Sequence, residues 1–332
     1  MNHLKSKILI SALFSGLALT TYADINVVAS VKPVHSLVSG VMEGAGKPDL
    51  IVKGSASPHT YSLKPSQAQQ LEDADLVFWM GHELESFLEK PLEAIATSSN
   101  VVELIDSNNL KKIEMREGGM FDAHAHDEHE GHDDHDEQEG HDDHDEHEGH
   151  DDHHDHGHGE FDIHVWLDPE NAKVLVNEIK LALIEKDPSN ASTYEANSKK
   201  INLKLDQLID EVSAKLESEK GKGYVVFHDA YQYFEERFGM SAVGSITVSP
   251  EVVPGANRIR ELKEKIVDLN AYCVFSEPQF EPKLVSTVIE GTQANTGVLD
   301  PLGASIKDGP ELYFTLIRNM ANSLQDCLSN KS

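Results

Sequence analysis

Twice along the chain, short runs of Val, Ile and Leu alternate with segments of helical periodicity, and this alternation narrows the fold more than anything else in the sequence. Residues 26–31, 49–53, 76–80 and 101–104 read as buried strands, separated by helical patterns at 34–43, 65–74 and 84–95. Strands that alternate with helices predict a parallel sheet covered on both faces, because each parallel step needs a crossover and a helix supplies it. A second set follows, with strands at 224–227, 271–275 and 296–299 and helices at 258–269, 283–292 and 311–326. The expected fold class is therefore α/β, with two lobes that each carry a parallel sheet flanked by helices.

A long helical stretch joins the two sets. Tyr194, Ile201, Leu205, Leu208, Val212 and Leu216 recur at spacings of three, four or seven between residues 188 and 219, the apolar stripe of a helix that packs on one side. At about 1.5 Å per residue such a helix reaches roughly 45 Å, enough to cross a two-lobed molecule and stiffen it against wide hinge motion. The domain reading is a signal peptide at 1–23, an N-terminal lobe at 24–187, a linking helix at 188–219 and a C-terminal lobe at 220–332.

The signal peptide is read from Lys5 and Lys7, the apolar run from Ile8 to Leu19 and the small residue Ala23, after which cleavage is expected. The run is shorter than the roughly 20 residues a spanning helix needs. No cysteine stands near the cleavage point, so a lipid anchor is not expected and the predicted compartment is a Gram-negative periplasm. Cys273 and Cys327 are the only cysteines, and in an oxidising compartment such a pair favours a disulfide.

The net charge of −30 is concentrated in one place. Residues 120–160 hold 18 Asp and Glu and no Lys or Arg, which leaves −12 for the rest. With no basic patch to offset it, nucleic-acid binding is excluded. Residues 122–160 also carry 13 of the 19 histidines and no aliphatic side chain larger than Ala, so the insertion buries no apolar surface and is expected to be disordered without metal. Within it Gly-His-Asp-Asp-His starts at Gly131, Gly140 and Gly149, a period of nine. It reads either as a secondary metal collector, whose carboxylates raise the local cation concentration, or as a solvated low-complexity insertion.

Outside the insertion, His59, His164 and His228 are read as standing where α/β folds place ligands, just past the carboxyl ends of strands, with His164 directly after the acidic insertion. Imidazole suits Zn²⁺, which favours four ligands in a tetrahedron. Asp300 occupies a comparable place in the second lobe, so it and a water are the two candidates for a fourth ligand. His35 and His82 also follow strands, and position alone does not choose three from five.

The motifs that carry a resemblance are Ser30-Val31-Lys32-Pro33, His59-Thr60-Tyr61-Ser62-Leu63-Lys64-Pro65, His164-Val165-Trp166-Leu167-Asp168-Pro169, Val226-Phe227-His228-Asp229-Ala230, Ser276-Glu277-Pro278-Gln279-Phe280 and Leu299-Asp300-Pro301-Leu302-Gly303. With them the chain resembles the cluster A-I solute-binding proteins of metal ABC importers, and within these the periplasmic zinc-uptake branch. The resemblance implies a metal site in the inter-lobe cleft made by His59, His164 and His228, with Asp300 close by, and a Cys273–Cys327 disulfide. It implies Zn²⁺ as transported ligand and the membrane permease of a zinc ABC importer as partner; a monomer with no direct membrane anchor is expected. Some family members carry Glu just before the first histidine; here Pro58 removes that donor. Manganese members carry a carboxylate where this chain has His228, and a third imidazole favours zinc over the harder Mn²⁺.

Three other readings compete. A periplasmic zinc buffer or chaperone would need no importer, a manganese-binding relative is opposed by His228, and an enzyme would need a general base and a substrate cleft. The sequence contains no His-Glu-x-x-His helix, nucleophile elbow or phosphate loop, so the chain is read as a binding protein rather than an enzyme.

Overall fold

A computed structural model describes residues 25–116, 121, 161–247, 255–268, 271–280 and 283–329. The expected signal peptide and residues 122–160 of the acidic insertion lie outside these residues. The first sheet contains β1 (Val27–Ala29), β2 (Asp49–Leu50), β3 (Leu76–Trp79) and β4 (Asn100–Glu103), all parallel, in the order β2-β1-β3-β4. The second contains β5 (Tyr224–His228), β6 (Ala242–Thr247), β7 (Cys273–Ser276) and β8 (Asn295–Val298), also parallel, in the order β6-β5-β7-β8. Both orders reverse direction once, next to the first strand of each sheet, and the crevice beyond the carboxyl ends at such a point is where open α/β sheets bind ligands.

Helices α1 (Lys32–Val41), α2 (Pro65–Glu72), α3 (Ser86–Ile95) and α4 (Pro169–Lys186) belong to the first lobe. Helices α6 (Gln232–Phe238), α7 (Ala256–Asp268), α8 (Lys283–Ile289) and α9 (Leu312–Ser329) belong to the second. Three elements exceed the sequence expectation: β6, α4 and α6. The start of α4 is explained locally, since Asp168 caps it by accepting from Glu170 N at 2.8 Å and Pro169 occupies its first turn. Arg237 of α6 grips the same carboxylate through Nε at 2.6 Å and Nη2 at 2.8 Å, joining the two lobes.

The linking helix α5 (Ala191–Leu216) buries Tyr194, Ile201, Leu205, Leu208, Val212 and Leu216 along one stripe. It packs on α1 and α4 of the first lobe and on α9 of the second. One apolar cluster runs through both lobes, including Val28 and Phe78 from the first sheet, Leu205 and Leu208 from α5, and Phe275 and Tyr313 from the second lobe. A disulfide between Cys273 and Cys327 fastens β7 to α9.

Polar contacts close the lobes on each other. At the start of α1, the buried Lys32 donates to Ala304 O at 3.2 Å and Ile306 O at 2.8 Å, and pairs with Asp308 at 3.1 Å. Trp166 Nε1 donates to Pro301 O at 2.9 Å, while Tyr313 Oη donates to Trp166 O at 2.7 Å. On either side of the acidic insertion the chain is pinned to itself: Glu114 bridges antiparallel to Phe161, and Asp162 N donates to Ile113 O at 2.8 Å. Among the described residues no helix is long and apolar enough to cross a membrane.

Candidate metal site

Each of the three histidines is placed by a short, locally encoded feature. His59 sits in a 3-10 turn, Pro58–Thr60, whose first position is a proline. His164 immediately precedes a second such turn, Val165–Leu167. His228 is the last residue of β5, beside the point where the second sheet reverses.

These three positions converge. Ring centroids lie 5.6 Å apart for His59 and His164, 5.8 Å for His59 and His228, and 5.3 Å for His164 and His228. One nitrogen from each lies within 4.8 Å of the other two. Leu84, Trp166, Phe280 and Pro301 help to line the cavity that the rings share, so water is largely excluded around a set of nitrogen donors.

Two buried carboxylates fix the imidazoles. Asp162 Oδ1 lies 2.7 Å from His164 Nδ1 and also accepts from His164 N at 2.9 Å. Glu277 Oε1 lies 2.7 Å from His228 Nδ1. Each carboxylate holds a proton on Nδ1, which leaves the lone pair of Nε2 for an electrophile. His228 Nε2 is buried and has no hydrogen-bond partner, which leaves its lone pair available to a cation. Asp162 is itself held by Gln232 Nε2 at 3.3 Å, and Tyr233 Oη donates to its backbone carbonyl at 2.7 Å.

The proton affinities diverge accordingly. Burial, reinforced by the nearby His164 and His228, pushes His59 well below the ordinary imidazole value of 6.5. Burial acts the same way on His228, but the carboxylates of Glu277, then Asp162 and Asp229, outweigh it and raise His228 above that value.

Asp300 is not one of the converging group. Its Oδ1 accepts from Gln279 Nε2 at 3.0 Å, Leu302 N at 3.1 Å and Gly303 N at 2.9 Å, and its Oδ2 from Ala304 N at 2.6 Å. His35 lies within α1 with Nε2 3.1 Å from Pro48 O. A second convergent group, His82, Glu83 and Glu103, lies at the ends of β3 and β4 and is more exposed. Sequence reasoning gave no role to Asp162 or Glu277, although an acid two residues before a candidate ligand, as in Asp162-Ile163-His164, is a usable signal.

Two parallel sheets bridged by one long helix, with an imidazole cluster where the lobes meet, define the class of two-lobed solute-binding proteins. The chain belongs to the ZnuA family: the family profile described as "Zinc-uptake complex component A periplasmic" matches residues 27–327. The Brucella suis high-affinity zinc uptake system protein ZnuA is 55% identical over 99% of this chain and 100% of its own. Its Yersinia pestis counterpart is 36% identical over 92% of each. A crystal structure of ZnuA superposes with a TM-score of 0.70, at 22% identity and covering 91% of this chain and 100% of that one. The periplasmic zinc binding protein TroA from Treponema pallidum gives 0.73, at 18% identity over 92% and 99%.

Proposed function

We propose that this chain captures Zn²⁺ between its lobes in the periplasm and hands it to the permease of a zinc ABC importer. The observation that carries the reading is the convergence of His59, His164 and His228, two of them oriented through Nδ1 by buried carboxylates. Three imidazoles supply three of the four ligands that Zn²⁺ favours. Asp162 and Glu277 add two negative charges next to a dication, so the loaded site is close to neutral in a wall that water barely reaches.

In this reading residues 1–23 are an export signal cleaved near Ala23, and the mature chain acts in the periplasm as a monomer. In this reading the first lobe spans 24–187, the linking helix 188–219 and the second lobe 220–332. The packing of α5 on both lobes limits closure to a small tilt, and release requires the permease to displace a loop that bears a ligand, such as the turn at His59. The insertion at 120–160 serves as an auxiliary collector.

The test is a competitive titration with Zn²⁺ and Mn²⁺ of the mature chain, an insertion deletion, and that deletion carrying His59→Ala, His164→Ala or His228→Ala. One tight zinc site that survives the deletion and is lost with each histidine supports the reading. Tight binding that disappears with the insertion makes the protein a metal sponge instead.

A further inference from the structure

At the carboxyl ends of β3 and β4, His82, Glu83 and Glu103 each offer one donor atom, and the three atoms lie within 4.8 Å of one another. These side chains do not line the three-histidine cavity, but the residue after Glu83, Leu84, does. His82 Nδ1 is 3.2 Å from Glu83 Oε2, with the two side chains 25% and 30% exposed. Gly81 makes room for the group. Its φ of +145° is one that residues with a side chain rarely adopt, and a Cβ built there would stand 2.7 Å from Glu103 Oε1 and 3.4 Å from Glu83 Oε2. The two carboxylates therefore share the space that a side chain would fill. Glu103 is half-buried, and its carboxyl is raised above the ordinary range by burial first, then by the negative charges of Asp106 and Glu83.

The geometry points to a second metal site in the first lobe, in which His82, Glu83 and Glu103 bind a divalent transition-metal ion beside the three-histidine cavity. The imidazole is what distinguishes this group from an ordinary acidic patch: a nitrogen donor joined to carboxylate oxygens is a zinc donor set, whereas oxygens alone suit harder cations. A neutral imidazole and two carboxylates also match the charge of a dication, which relieves the repulsion between Glu83 and Glu103. Three protein donors on a partly exposed surface leave the remaining positions to water, so the ion exchanges with solvent more readily than one enclosed by three buried rings. Two oxygen donors make this site less selective for Zn²⁺ over Mn²⁺ than the histidine cluster. The site stands on its own geometry and does not depend on the capture reading.

The first test is a crystal structure of the mature chain grown with several equivalents of Zn²⁺, with anomalous scattering recorded on both sides of the zinc edge. The expected result is a zinc peak about 2.0–2.2 Å from a ring nitrogen of His82 and from one oxygen each of Glu83 and Glu103, in addition to one among the three histidines. Zinc at His59, His164 and His228 with none at His82 overturns the second site and leaves the capture reading standing. Zinc at His82 with none among the three histidines supports the second site and refutes the capture reading.

The second test is equilibrium dialysis of the mature chain and of Glu83→Gln/Glu103→Gln against buffered Zn²⁺, with the acidic insertion present in both. The variant should bind one zinc fewer at saturation, keep the tightest equivalent unchanged, and match the circular dichroism of the parent chain. His82→Gln, which removes only the nitrogen donor, should lose the same equivalent. Equal zinc stoichiometry in the parent and in either folded variant overturns the proposal, even where the crystals show a peak at His82.

Discussion

Glu85 offers a stability measurement whose sign and size both follow from its surroundings. It is fully buried at the start of α3, where Oε1 accepts from Ser30 Oγ and Oε2 accepts from Met80 N at 2.9 Å and Gly81 N at 3.1 Å. Burial raises its carboxyl from 4.5 to about 7; the three donors pull it back only in part. A carboxyl whose folded value lies above its unfolded value stabilises the fold fully at pH below 4.5, and this contribution is lost as pH rises towards and through 7. The interval, 7 − 4.5, is about 2.5, and at about 1.36 kcal/mol per pH it costs the folded protein roughly 3 kcal/mol by pH 8.

Glu85→Gln removes that dependence without removing the contacts. The amide oxygen can accept from Met80 N and Gly81 N while the amide nitrogen donates to Ser30 Oγ. Urea unfolding of both chains, metal-free, at pH 4 and pH 8 isolates the effect, because every other titrating group is shared. The stability of the variant relative to the parent should rise by about 3 kcal/mol between the two pH values. A difference between the chains that does not change with pH refutes the reasoning.

Zinc affinity should weaken on acidification, beginning above the ordinary imidazole value because carboxylates raise His228, and His59 should add nothing in that range; competition titrations at pH 8, 7, 6 and 5 should fall towards roughly tenfold per pH once a single proton competes with the metal. Replacing both Cys273 and Cys327 by Ser opens a link across 54 residues of sequence and should cost about 4 kcal/mol in the chain-entropy model, read from the urea midpoint. Leu208→Ala, at a fully buried position of α5 shared by both lobes, should destabilise by about 2–5 kcal/mol, with one cooperative transition rather than two.

The elements that the sequence revealed are those whose burial is written in consecutive residues. Leu76–Trp79 is apolar at all four positions and buried at all four, and the stripe on α5 holds the same residues in the chain and in the fold. Strand β6 escaped because Ala-Val-Gly-Ser-Ile-Thr mixes small and polar side chains, although five of its six residues are buried; its pairing with β5 supplies what its composition lacks. Helix α4 is different: Asp168-Pro169 is a start signal present in the sequence, and its buried residues follow a helical period. The three histidines were legible as loop and strand-end residues, but their convergence is tertiary. The partnership of His228 with Glu277 joins residues 49 apart in sequence, a relation that no local pattern announces.

The bridge between Glu114 and Phe161 holds together described residues on either side of the acidic segment. Because these flanking residues are tied to each other directly, the position of Asp162 does not rest on the length of the sequence between them. A nine-residue unit can be duplicated or deleted without displacing Asp162, the carboxylate that orients His164. Variants with one repeat more or fewer are therefore expected to keep the orientation of His164.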